Sequence, residues 1–264
     1  MHKALREAKV HVSWINPHPA YDEAVRNFIA RLLDRTQPNE FLDDFRPFQA
    51  RVAELGIYNS LSQTVLRLAA PGVPELYQGS ELWELSLVDP DNRRPVDSAR
   101  RQAVLAELRT GAEGTGGALA ELAHTLVERR QDGRIKLYVI QRGLACRREH
   151  PQLFLQGDHV PLVVRGGRTN HVCAFARAHG EHEVVVAVPR FLARLSGNGA
   201  PLGPGVWGED LVILPTAGQG RAYRNLFTGE LLEIGETGEG RRALPLAAVF
   251  AGFPVAMLER VSSG

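Results

Sequence analysis

Apolar residues recur at helical spacing through the first half of the chain and at shorter, strand-like spacing through the second. Ala24, Phe28 and Leu32 fall on one face of a segment that Pro19 and Asp22 initiate and Pro38 follows, which predicts a helix. The same periodicity predicts helices over Phe41–Leu55, Ile57–Ala69, Ala99–Arg109, Ala118–Arg130 and Ile135–Arg148. Val73–Tyr77 reads as one brief strand among them, broken by Gly79. From about Asp158 the runs become short and β-like: His159–Val164, His171–Arg177, Glu183–Pro189, Leu211–Leu214, Arg221–Phe227 and Val255–Glu259. Gly166-Gly167, His179-Gly180-Glu181 and Thr228-Gly229 are the turn signals between them. The expected architecture is therefore α+β, helix-rich over residues 1–155 and an antiparallel β-sandwich over residues 156–264.

Composition narrows the function classes. A chain of 264 residues, 44% hydrophobic, buries a substantial core. Net charge is +1, and the basic pairs Arg100-Arg101, Arg129-Arg130, Arg147-Arg148 and Arg241-Arg242 are scattered, which argues against nucleic acid as a partner. There is no bilayer-length apolar run and no secretion signal, so the expected location is the cytoplasm, away from membranes. Cys146 and Cys173 stand outside any CxxC or Cys/His spacing and read as reduced core thiols. His179-Gly180-Glu181-His182-Glu183 reads as a polar hairpin rather than a metal site. Neither a GxSxG elbow nor a GxxxxGK[ST] phosphate loop occurs, so hydrolase-triad and nucleotide chemistry lack support.

Candidate chemistry concentrates between Pro71 and Asp97, PGVPELYQGSELWELSLVDPDNRRPVD. Pro90 and Pro95 stiffen a loop carrying Asp89, Asp91, Asn92, Arg93, Arg94 and Asp97. Tyr77 and Trp83 offer apolar faces to the CH face of a pyranose, and Asp, Asn and Arg bind vicinal hydroxyls through paired hydrogen bonds. The same residues also make a plain surface turn, with the Asp side chains capping backbone amides, the Arg side chains pairing with them, Trp83 packing and Glu81 pairing with an Arg.

LAAPGVPELYQGSELWELSLVDPDNRRPVD resembles a signature of the maltooligosyl trehalose synthase family, within the α-amylase superfamily. KALREAKVHVSWINPHPAYDEAV and HVCAFAR resemble further family segments, so the likeness extends over nearly the whole chain. The resemblance implies the helix-rich end of a (β/α)8 barrel, with Val73–Tyr77 as its last strand, followed by the β-sandwich. It implies an enzyme that converts the reducing-end α-1,4 linkage of a maltooligosaccharide to α,α-1,1 by intramolecular glucosyl transfer, without cofactor or metal. Retention there requires two carboxyl groups about 5–5.5 Å apart.

The family's catalytic carboxylates belong to earlier barrel strands whose motifs are absent here, so no catalytic residue is assigned. The implied substrate-binding residues are Tyr77, Gln78, Glu81, Trp83, Asp89, Asp91, Asn92, Arg93 and Arg94, with Trp14 at the edge. The implied partners are the maltooligosaccharide and the N-terminal barrel segment, beside which the chain is expected to fold best. The alternative is a non-catalytic carbohydrate-binding or assembly module.

Overall fold

The computed structural model describes residues 1–87, 91–113, 117–197, 199–215 and 221–261. The fold is α+β, with helices first. Helices α1 (His2–Ala8), α2 (Pro19–Leu32), α3 (Glu40–Ala69), α4 (Ser98–Ala112), α5 (Ala118–Glu128), α6 (Arg134–Glu149) and α7 (Pro151–Leu155) precede the strands. The strands are β1 (Asp158–Pro161), β2 (Val164–Arg165), β3 (Val172–His179), β4 (His182–Pro189), β5 (Leu211–Ile213), β6 (Ala222–Asn225), β7 (Leu231–Glu233), β8 (Gly235–Glu236), β9 (Arg242–Pro245) and β10 (Ala256–Val261). Short helices α8 (Leu192–Leu195), α9 (Gly203–Trp207) and α10 (Leu246–Val249) interrupt them. Met1–Ala53 and Glu54–Gly264 form two compact units. Among the described residues no helix is long and apolar enough to cross a membrane.

Local interactions define the first unit. The His18 ring accepts a hydrogen bond from the Tyr21 amide at 3.1 Å and Pro19 opens α2, where its missing N–H costs nothing. The Asn39 side chain accepts from the Leu42 amide at 3.1 Å, starting α3. Arg6 of α1 donates to Asp22 of α2 at 2.9 Å, and this hydrogen bond holds the Asp22 carboxyl below the usual carboxylate range.

The second unit is built on a six-stranded antiparallel sheet, β1-β3-β4-β10-β6-β7, with a four-stranded sheet, β2-β5-β9-β8, beside it. Alternation along β4 explains the continuous apolar run. Val184, Val186 and Val188 join Leu61, Val65, Leu68, Leu126, Tyr138 and Phe154 in one buried cluster, on the helical side. Val185 and Ala187 join Val164, Val212 and Leu244 of the four-stranded sheet in the other. Because successive side chains point to opposite faces, a strand buried on both faces needs no polar positions. Two residues, Gly180 and Glu181, turn β3 into β4, with Gly180 at φ 58° and His179 facing His182.

Arg177 of β3 ties helices to sheet. It is 1% exposed. Its guanidinium donates to the carbonyls of Ala69, at the end of α3, and of Leu153, Phe154 and Gly157 around the end of α7, at 2.8–3.1 Å. The Ala69, Leu153 and Phe154 carbonyls are among those a helix leaves without donors, and the positive charge also suits a helix C-terminus.

Three expectations need correction. Val73–Tyr77 forms no strand: no described residue before Asp158 is in a strand, so the segment has no neighbour to pair with, and Pro74 lacks an N–H. Phe41–Leu55 and Ile57–Ala69 are one helix, since Gly56 at about 1 kcal/mol is too weak a breaker to interrupt it. Gly166-Gly167 closes no hairpin, because β2 pairs with β5 while β1 pairs with β3.

Candidate functional site

The loop after Ala70 folds around a hollow of about 180 Å³. Tyr77, Gln78, Asp91, Asn92 and Arg94 line it together with Glu84, Ser86, Pro95, Val96, Asp97 and Arg101. This is below the roughly 300–1,000 Å³ of pockets for drug-sized ligands.

Turn chemistry puts these groups there. Gly79 takes φ 90°, and a Cβ at that position would stand 3.3 Å from both Glu84 and Val96 side chains. The Ser80 amide and hydroxyl both donate to the Tyr77 carbonyl, at 3.0 and 2.6 Å. Asp91, Asn92 and Arg93 form a single 3-10 turn. Asp97 caps α4 by accepting from the Arg100 amide at 2.9 Å.

Each lining carboxylate has a local partner. Asp91 pairs with Arg94 and accepts from the Leu87 amide at 3.2 Å. Glu84 accepts from the Ser86 amide at 2.8 Å, and hydrogen bonds from Ser86 lower its carboxyl pKa. Asn92 differs: its side-chain oxygen is buried without a hydrogen-bond partner among the described residues. An unpaired buried acceptor costs about 1–3 kcal/mol, so it is the loop's one described polar atom with a clear demand for a donor.

Arg101, which the sequence presented only as half of a basic pair, proves central. Its Nε donates to Glu81 at 2.9 Å, one terminal nitrogen to the Gly79 carbonyl at 2.7 Å and the other to the Asp97 carbonyl at 3.1 Å. The fork thus joins both ends of the loop to α4. The sequence signal was its position four residues after an Asp cap, where an arginine of the first helical turn lies over the preceding loop.

The remaining candidates separate. Glu81 is the brace held by Arg101 and does not line the hollow. Trp83 donates from its indole to the Arg130 carbonyl at 2.7 Å and packs against the helical core. Lys136 lies 5.8 Å from its ring centroid, with burial lowering the lysine pKa. Arg93 is exposed. Asp89 lies outside the described residues. Trp14 belongs to the first unit, 57% exposed, with the Arg6 guanidinium 5.0 Å from its ring centroid. Among the described residues no group of three or more His, Cys, Asp and Glu is placed to hold a metal ion.

A Mycobacterium tuberculosis protein described provisionally as a maltooligosyl trehalose synthase is 35% identical over 261 residues, which are 98% of this chain and 27% of that protein. The chain is homologous to the C-terminal part of maltooligosyl trehalose synthases. It spans 27% of the length of the curated relatives it matches. The solved maltooligosyltrehalose synthase of Arthrobacter ramosus is 30% identical, covers 98% of this chain with 29% of its own, and superposes with a TM-score of 0.75. A further solved maltooligosyl trehalose synthase, at 23% identity and a TM-score of 0.67, shares the fold. No protein-family model matches the chain.

Proposed function

We propose that this chain supplies the sugar-holding part of a maltooligosyl trehalose synthase and leaves the covalent chemistry to polypeptide outside the match. In that reading residues 1–155 are the end of a (β/α)8 barrel and residues 156–264 a β-sandwich. The hollow holds one glucose unit of a maltooligosaccharide while the reducing-end linkage is moved from α-1,4 to α,α-1,1, in the cytoplasm. Asn92, Asp91, Gln78 and Arg94 supply polar contacts to the sugar hydroxyls. Tyr77, 48% exposed at the rim, offers its ring to the pyranose face. The observation that carries the reading is that five loop residues of the family-like signature line one hollow.

A second reading, a non-catalytic carbohydrate-binding module, is favoured by one feature: every carboxylate lining the hollow is already engaged with a nearby backbone amide. A general acid or a nucleophile has to be free to meet substrate. Both readings assign sugar binding to the loop and no turnover to the isolated chain.

The test is titration of the purified chain with maltohexaose by NMR or calorimetry, with glucose release and loss of reducing ends followed in parallel. Binding in the millimolar range is expected, weakened about tenfold by Tyr77→Ala and by Arg101→Ala, which removes charge-assisted hydrogen bonds of about 1.5–3 kcal/mol each. Binding that ignores both substitutions overturns the site. Turnover by the isolated chain overturns the division of labour.

A further inference from the structure

The first unit displays apolar surface that its own residues do not cover. Of Met1–Ala53 only Val12, Asp22 and Leu42 are buried, and neither buried cluster contains a residue from this stretch. In the opening turns of α3, Phe41, Phe45, Phe48 and Val52 recur at intervals of four, three and four, which places them on one helix face. They are 42%, 40%, 62% and 50% exposed. Phe41 and Phe45 stack at 5.3 Å and Phe45 meets Phe48 at 6.4 Å, so the rings form a continuous stripe.

Every residue from 43 to 53 is exposed. A helical segment of that length is marginal in water, since helices in proteins draw most of their stability from packing an apolar face. Pro47 adds to the difficulty by leaving the Asp43 carbonyl without its helical donor. Leu42, Pro47 and Ala50 adjoin the stripe along a largely open surface of the same helix. A face of this kind marks an interaction site.

We infer that the Phe41–Phe45–Phe48–Val52 face docks the portion of the maltooligosyl trehalose synthase fold that lies outside the match, on the same chain or on a separate one. This rests on the functional reading above, in which the chain works together with that portion. Two observations select this occupant. The matched segment is 27–29% of the relatives, so most of their length is available to cover the face. The superposition on the Arthrobacter ramosus protein takes in 98% of this chain and therefore most of the first unit, a region without a core of its own. A second copy of this chain is the competing occupant.

Hydrogen exchange followed by mass spectrometry separates them. It is run on the purified chain at several concentrations, and on a chimera in which the Arthrobacter ramosus portion outside the match precedes the whole chain. The amides of residues 43–53 are expected to exchange near the unprotected rate in the lone chain and about 100-fold more slowly in the chimera. Joint Phe45→Ala and Phe48→Ala substitution should cut the chimera's protection at least tenfold and leave the lone chain unchanged, whereas Leu155→Ala with Leu231→Ala, exposed in the other unit, should leave both unchanged. No gain of protection in the chimera overturns the inference. Protection that rises with concentration in the lone chain, and is lost with the two phenylalanines, also overturns it by placing a second copy on the face. Maltohexaose binding by the loop is a separate readout, so failure of the sugar site leaves this result standing and the reverse.

Discussion

Met1–Ala53 and Glu54–Gly264 are both rich in helical pattern, yet only the second has an interior. The first buries Val12, Asp22 and Leu42 and exposes three phenylalanines along one helix face. The second fills two clusters, one between helices and the six-stranded sheet, the other between the two sheets. Amphipathic periodicity specifies an element and the side of it that needs cover, while the identity of the cover is set by the rest of the fold. One helix shows both conditions, since α3 begins among exposed residues and ends with Leu61, Val65 and Leu68 fully buried.

The strongest way to break the second unit is Arg177→Ala. Buried carbonyls at the ends of α3 and α7 then lose their donor at about 1–3 kcal/mol each, for an expected loss of about 3–5 kcal/mol in urea unfolding. Leu61→Ala, in the helical cluster, should cost about 2–5 kcal/mol, and Phe48→Ala, 62% exposed, less than about 0.5 kcal/mol in the same urea titration. Similar losses from the two would show that the first unit is packed after all.

The smallest expected effect is a pH response confined to the first unit. Asp22 has its carboxyl pKa depressed in the fold, chiefly by the Arg6 hydrogen bond. Its contribution is therefore fully present above the usual value of 3.8 and is lost as pH falls below that through the lowered folded value. Amide exchange in α1 and α2 should accelerate over that acidic window, and Asp22→Asn should remove the pH dependence.

The parts of the fold legible in the sequence were those with strong local signals. The α2 boundaries follow from Pro19 and the end of its apolar face, and the β3–β4 hairpin from a two-residue turn between long apolar runs. What escaped was set by tertiary context. β7, β8 and β9 are two to four residues long, too short for any alternation to register, and are defined by their neighbours. Val73–Tyr77 has strand-like composition and yet pairs with no strand among the described residues. In the candidate site, Tyr77, Gln78, Asp91, Asn92 and Arg94 were visible as a cluster of sugar-binding residue types. Arg101 was not, because a clamp is recognised by the partners it joins, here Asp97, Glu81 and Gly79, which lie 4–22 residues away in sequence.

The β4 strand is buried on both faces. In a sheet with one wet face, sliding a strand by one residue throws its apolar side chains into water, and that penalty fixes the alignment. Val184 to Val188 would meet a nonpolar neighbour either way, so greasiness alone cannot tell correct pairing from a slip. Alignment here falls to the tight Gly180-Glu181 bend and to Glu183, which is 4% exposed, bonded by the Tyr223 hydroxyl and 3.8 Å from Arg260. A handful of polar atoms at one end of the sheet thus acts as the ruler against which its oily centre is measured.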